Sequence, residues 1–206
     1  MKKPSLSAGA NAWKNRIEAL KTKNTAFVVF LTFLAIGTQF TIMFLLVTYL
    51  ADARGFSVPV ASGVLSAFYI LLAGGRLICS VLVRRYSNRL ILLVLLALLG
   101  ASLITTLLGS PVVSAVALAL TGLASSGLYP SILAMASEVT QSTSRGTVLG
   151  TLAMAGGLGG MLIIQISARI SEAFGISTGF WAISVVVCIT FVYLLVFGRS
   201  IRPVNH

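Results

Sequence analysis

Six continuous apolar stretches, each long enough to cross a membrane as a helix, restrict this chain more than any motif does. A bilayer's hydrocarbon core is about 30 Å thick and takes roughly 20 helical residues to span. The stretches run from about Asn24 to Leu50, Val58 to Val83, Leu90 to Leu108, Val112 to Ala136, Gly146 to Ala168 and Gly179 to Gly198. Pro59 opens the second within its first turn, where a missing N–H costs nothing, and Pro130 predicts a kink in the fourth. A membrane barrel fits poorly, because its strands alternate polar and apolar residues over about 10 positions and these runs do not. The expected fold is an all-α membrane domain of six helices over residues 24–198, with a basic tail at 1–23 and a short tail at 199–206.

Charge supports the same reading. Fifteen Lys and Arg stand against four acids, giving a formal net charge of +11. A nucleic-acid partner would require those charges on one face of a soluble domain. Here they fall between apolar runs, so the expected partner is the lipid bilayer, with anionic headgroups as counter-charge. Cytoplasmic loops retain Lys and Arg. With both termini inside, Lys2, Lys3, Lys14, Arg16, Lys21, Lys23, Arg84, Arg85, Arg89, Arg145, Arg199 and Arg202 are all cytoplasmic. Only Arg54 and Arg169 are then outside, and Arg76 alone lies within a span. This predicts a multi-pass protein of a bacterial-type inner membrane. Lys2 and Lys3 resemble the start of a signal peptide, but the following apolar run begins too late and is too long for one. In the tail, Trp13, Ile17 and Leu20 share a helical face, which fits either a helix lying on the anionic inner leaflet or a solvated linker.

Polar residues inside the spans separate lining helices from peripheral ones. The third and sixth spans carry few, mainly Ser102, Thr105, Thr106, Ser184 and Thr190, which can bond back to their own helix. In the second span Ser62, Ser66, Tyr69, Ala73 and Arg76 recur at helical spacing and form one stripe. The fourth repeats this with Thr121, Ser125 and Tyr129; the first offers Thr38, Gln39 and Thr41, and the fifth Thr147, Thr151, Met154 and Gln165. Small hydroxyls also glue membrane helices together, but an amide or phenol in hydrocarbon requires a partner. The candidate substrate cavity is therefore Gln39, Ser66, Tyr69, Ser125, Tyr129 and Gln165. "VLSAFYILLAGGR" at 64–76 can be laid over "VLGTLAMAGGLG" at 148–159, which suggests a three-plus-three repeat.

Catalysis and cofactors find no support. The single histidine is His206, Cys79 and Cys188 sit in separate spans without metal-ligand spacing, and no phosphate-binding glycine loop precedes a lysine-bearing helix. The acids Asp52, Glu138 and Glu172 fall at span ends. The expectation is a non-enzyme with no cofactor and no metal.

Three features carry a family resemblance. "SVLVRRYSNRL" is similar to a degenerate copy of the G-x-L-x-D-R-x-G-R-R loop of the major facilitator superfamily, with Ser80, Arg84 and Ser87 where Gly, Asp and Gly would stand. Glu138 and Arg145-Gly146 in "SEVTQSTSRG" resemble the acid and Arg-Gly that bracket the inner loop between the fourth and fifth helices of a half. "GLYPS" followed by the glycine-rich fifth span resembles the kinked helix and its glycine-lined neighbour. The chain thus resembles the C-terminal six-helix half of such a transporter, faintly of the fucose-permease type.

The resemblance implies alternating-access transport of a small organic solute, with a mild preference for a sugar. It also implies a partner: a second six-helix half, whether in a longer chain, from a split gene, or as a second copy. Gating residues implied by it are Arg76, Arg84, Arg85, Arg89, Glu138 and Arg145, with Glu138 pairing one of Arg76, Arg84, Arg85 or Arg145. Snorkelling towards the inner interface is the other reading of Arg76. A non-transporting six-helix assembly or regulatory protein is the competing reading of the whole chain.

Overall fold

The computed structural model describes residues 22–140 and 144–198. The reading of Trp13, Ile17 and Leu20 lies outside them. Seven helices occupy the described residues: α1 (Lys23–Asp52), α2 (Val58–Leu82), α3 (Asn88–Leu108), α4 (Pro111–Ser125), α5 (Leu128–Glu138), α6 (Arg145–Phe174) and α7 (Ile176–Phe197). Their apolar lengths give six membrane crossings, α4 and α5 together making one. Local chemistry marks the starts. Thr22 and Ser87 cap α1 and α3 by accepting from the Thr25 and Leu90 N–H groups, and prolines stand in the first turn of α2 and α4.

The kink expected at Pro130 is a break between α4 and α5, and it falls at Ser126-Gly127. The cause is the proline ring, which removes the hydrogen bond to the carbonyl four residues earlier and crowds it. The fifth crossing extends to Phe174, beyond the expected Ala168, because a helix satisfies its own backbone in water as well as in lipid. Gly175, with φ at +91°, then turns the chain directly into α7. An L side chain rarely adopts that backbone.

The two halves of the chain exchange roles. The most extensive contact is α1 with α6, and its counterpart under exchange of the first three crossings for the last three is α4 with α2, the next most extensive. Each crossing is centred on a glycine. A methyl group on Gly159 would strike the Phe33 carbonyl of α1, and one on Gly122 would strike the Phe68 carbonyl of α2. The repeated "AGG" does not pack equivalently: Gly75 meets Ser126 and Gly156 meets Ile36, whereas their counterparts in the overlay, Gly157 and Gly74, face open space. Small residues let membrane helices approach backbone to backbone, where dispersion replaces the missing hydrophobic drive. α3 and α7 pack on each other, α3 also on α4 and α5, and α7 on α1 and α6. Most hydroxyls in the spans bond back to their own helix, among them Thr32, Thr38 and Thr41 to Val28, Leu34 and Gly37.

Three arginines close helix ends. Arg54 donates through Nη2 to the Thr106 and Leu107 carbonyls at 2.6 and 2.8 Å, and through Nε to the Tyr49 hydroxyl at 3.1 Å. Tyr49 and Ser114 donate to the same Thr106 carbonyl. Arg89 donates to the Leu195 carbonyl and Arg145 to the Ser137 carbonyl. Each guanidinium thus meets the negative end of a helix dipole, in the last turns of α3, α7 and α5 respectively. With so few acids available, helix ends take the place of ion pairs. Arg54→Leu should lower the unfolding free energy in detergent by about 2 kcal/mol, and Tyr49→Phe by about 1. An unchanged thermal midpoint for Arg54→Leu would show that the cap contributes nothing.

Candidate functional site

One cavity of about 330 Å³ lies midway along α1. Ile36, Gln39, Phe40 and Met43 form its wall on α1, spaced as one helical stripe. Tyr69, Leu72 and Arg76 contribute from α2, Ser125, Ser126 and Tyr129 from the α4/α5 break, and Ala153, Gly156 and Gly157 from α6. The break matters here, because Ser125, Ser126 and Tyr129 all flank it. Gly156 and Gly157 leave the opposite wall without side chains.

Of the six residues expected at a cavity, the structure brings four together: Gln39, Tyr69, Ser125 and Tyr129. Ser66 lies outside the lining, its hydroxyl donating to the Ser62 carbonyl at 3.1 Å. Gln165 is exposed on α6, eight residues beyond Gly157, which is about 12 Å along a helix axis. Arg76, expected at a gate, is among the lining residues of the cavity. Phe40, Met43 and Leu72 were not among the expected residues; the α1 pair shares a stripe with Gln39, but apolar residues at helical spacing look the same whether they face lipid, core or cavity.

Five of the six polar side chains around this space lack partners; the sixth, Ser126, donates to the Leu123 carbonyl. Among the described residues Gln39, Tyr69, Arg76 and Tyr129 make no hydrogen bond or ion pair, and the buried Ser125 hydroxyl has none either. The whole α2 stripe of Ser62, Ser66, Tyr69, Ala73 and Arg76 is exposed, and α2 is the least buried of the six crossings. A polar face is costly against hydrocarbon, so this one requires water, a solute or another protein surface.

At the basic end, Glu138 accepts a hydrogen bond of 2.8 Å from Asn88 Nδ2. Asn88 is the first residue of α3, so the carboxylate sits beside the positive end of that helix. Among the described residues it has no ion pair with Arg76, Arg84, Arg85 or Arg145. The family loop therefore closes onto a helix start in this conformation.

Six crossings arranged as two exchanged units, with a cavity on one open side, define an integral multi-pass membrane protein built as one half of a two-half fold. The chain belongs to the major facilitator superfamily, whose family model matches residues 28–206. None of the curated proteins matches it. Among solved structures it is similar to FucP, a Major Facilitator Superfamily transporter in the outward conformation and the E. coli fucose:proton symporter, at 19% identity and a TM-score of 0.75, covering 93% of this chain and 45% of that one. It is similar also to the peptide transporter POT in complex with alafosfalin, at 17% identity and a TM-score of 0.79, covering 86% of this chain and 38% of that one. The POT family transporter PepTSo matches at 14% identity and a TM-score of 0.76, covering 89% of this chain and 39% of that one. The chain spans less than half the length of these structures, and the resemblance at such identities concerns the fold.

Proposed function

We propose that this chain forms one half of a secondary transporter that moves a small organic solute across a bacterial inner membrane by alternating access. The observation that supports it best is the unpartnered polar group of Gln39, Tyr69, Arg76, Ser125 and Tyr129 around one cavity, at the middle of the spans. Transporters of repeated architecture bind solutes near the bilayer midplane, at the junction of their repeats. A second six-helix half, facing the exposed α2 stripe and the glycine wall of α6, encloses the cavity and shields its polar face from lipid. The test is uptake of candidate solutes into proteoliposomes carrying this chain with and without a complementary half. Saturable uptake only in the paired vesicles is the expected result; none in either, with both halves correctly inserted, rejects transport.

The gate of this transporter is the basic end, where Arg84, Arg85, Arg89, Glu138 and Arg145 gather. Glu138 exchanges its bond to Asn88 for an arginine partner when the cytoplasmic side changes state, and the positive end of α3 holds it meanwhile. Glu138→Arg and Arg85→Glu should each abolish uptake, and the double exchange should restore a substantial part. If charge exchange with Arg76, Arg84, Arg85 and Arg145 in turn rescues nothing, Glu138 is structural only.

A further inference from the structure

Arg76 is the one charged side chain that lines the cavity. Among the described residues no acid faces it: Asp52 ends α1, Glu138 ends α5 and Glu172 lies in the last turn of α6. Arg54, Arg89 and Arg145 all rest on carbonyls at helix ends, whereas the Arg76 guanidinium, like those of Arg84, Arg85 and Arg169, has no partner among the described residues, and of these four it is the one at the cavity. It makes no bond to the closing carbonyls of its own helix either. It also sits six residues from the end of α2, about 9 Å of helix rise.

Arg76 is exposed in this half; once a second half covers the stripe, an unpaired cation there is unstable unless a counter-charge arrives. A guanidinium presents parallel N–H groups that match a carboxylate in a bidentate pair. Gln39, Ser125 and Tyr129 add neutral donors from α1, α4 and α5 for the oxygen lone pairs left over. Phe40 and Leu72 supply an apolar surface beside them. One positive charge calls for one negative charge, since a dianion would leave its second charge uncompensated. A neutral sugar would leave the guanidinium itself unpaired. Resting on the transport reading above, we propose that the solute is a monocarboxylate with an apolar or aromatic body, and that Arg76 is the residue that binds its carboxylate.

The probes are benzoate, its neutral analogue benzamide and the cation benzylamine, applied at fixed ionic strength to the full chain in dodecyl maltoside while thermal unfolding is followed. Benzoate should raise the midpoint saturably, and the other two should not. Arg76→Gln should weaken the half-saturating benzoate concentration at least tenfold, and Arg76→Lys, which keeps the charge but not the fork, several-fold. If Arg76→Gln is not monodisperse, Arg76→Lys alone decides, and an unchanged half-saturation overturns the proposal. So does the absence of any benzoate response in the wild-type chain. A separate arm adds phosphatidylglycerol without benzoate: stabilisation by that lipid through Arg76, with benzoate inert, would make the guanidinium a headgroup anchor and overturn the solute site. Uptake separates the two readings. A paired transporter that carries a neutral solute and ignores benzoate refutes this inference while transport stands. Benzoate binding through Arg76 with no uptake of any solute keeps the site and refutes transport.

Discussion

Gly159→Val should prevent the chain from folding into a monodisperse species in detergent, and Gly122→Val should do the same. At each position a side chain meets a backbone carbonyl on the crossing helix, Phe33 for Gly159 and Phe68 for Gly122, so no rotamer change can relieve the contact. Overpacking a core ordinarily costs about 1–3 kcal/mol, and a rigid backbone obstacle puts these two at or beyond the upper end. Gly159 has a second constraint, because Gly37 faces it across the crossing with equally little room. Gly150 and Gly63 have nothing within 4 Å of an added methyl and serve as controls. Gly150→Ala and Gly63→Ala should leave the elution profile and thermal midpoint unchanged, or slightly raise the midpoint through better helix propensity. The comparison also tests the repeat. If Gly159→Val disrupts and Gly122→Val does not, the two crossings are not energetic equivalents and the internal symmetry is only topological.

The second large effect concerns the cavity. Gln39→Leu keeps the size of the side chain but removes an amide that has no partner among the described residues. A bulk hydrogen-bonded core residue would lose stability on this change; an amide reserved for a solute would lose uptake and keep or gain stability. Uptake by the paired transporter should therefore fall at least tenfold, equivalent to about 1.4 kcal/mol, while the thermal midpoint holds. Tyr129→Phe, which deletes a single unpartnered hydroxyl, should show the same split at smaller size. The opposite pattern, a lower midpoint with uptake intact, would reassign these groups to packing. Thr38 provides the contrast on the same helix: its hydroxyl is already committed to the Leu34 carbonyl, so Thr38→Val should leave uptake nearly unaffected.

Several features were legible in the residues before any packing was known. Pro130 announced a break in the fourth crossing, though the break lies upstream because the ring acts on the carbonyl four residues earlier. Gln39, Tyr69 and Tyr129 stood out because amides and phenols are expensive in hydrocarbon, Ser125 because it shares the Tyr129 stripe, and the fold places all four on one cavity. Gln165 stood out for the same reason and lies elsewhere, since helical spacing reports the face of a helix and not the depth at which that face meets its neighbours. The arginine caps were not legible. Arg54 and the Thr106 carbonyl are far apart along the chain, and a backbone carbonyl leaves no trace in the residue letters. Glu138 invited an arginine partner by charge alone, yet the helix start at Asn88 takes that place.

The number of crossings, their lengths and the concentration of positive charge at one end follow from the chain's own letters. In a bilayer each crossing must satisfy its backbone within itself, which makes the requirement local and therefore readable. Which polar groups share a space, and which arginine is left without a carbonyl, depended on helices meeting at Gly159 and Phe33, and at Gly122 and Phe68. Those contacts set tilt and depth between residues distant in sequence, and tilt and depth are properties of the packed bundle alone.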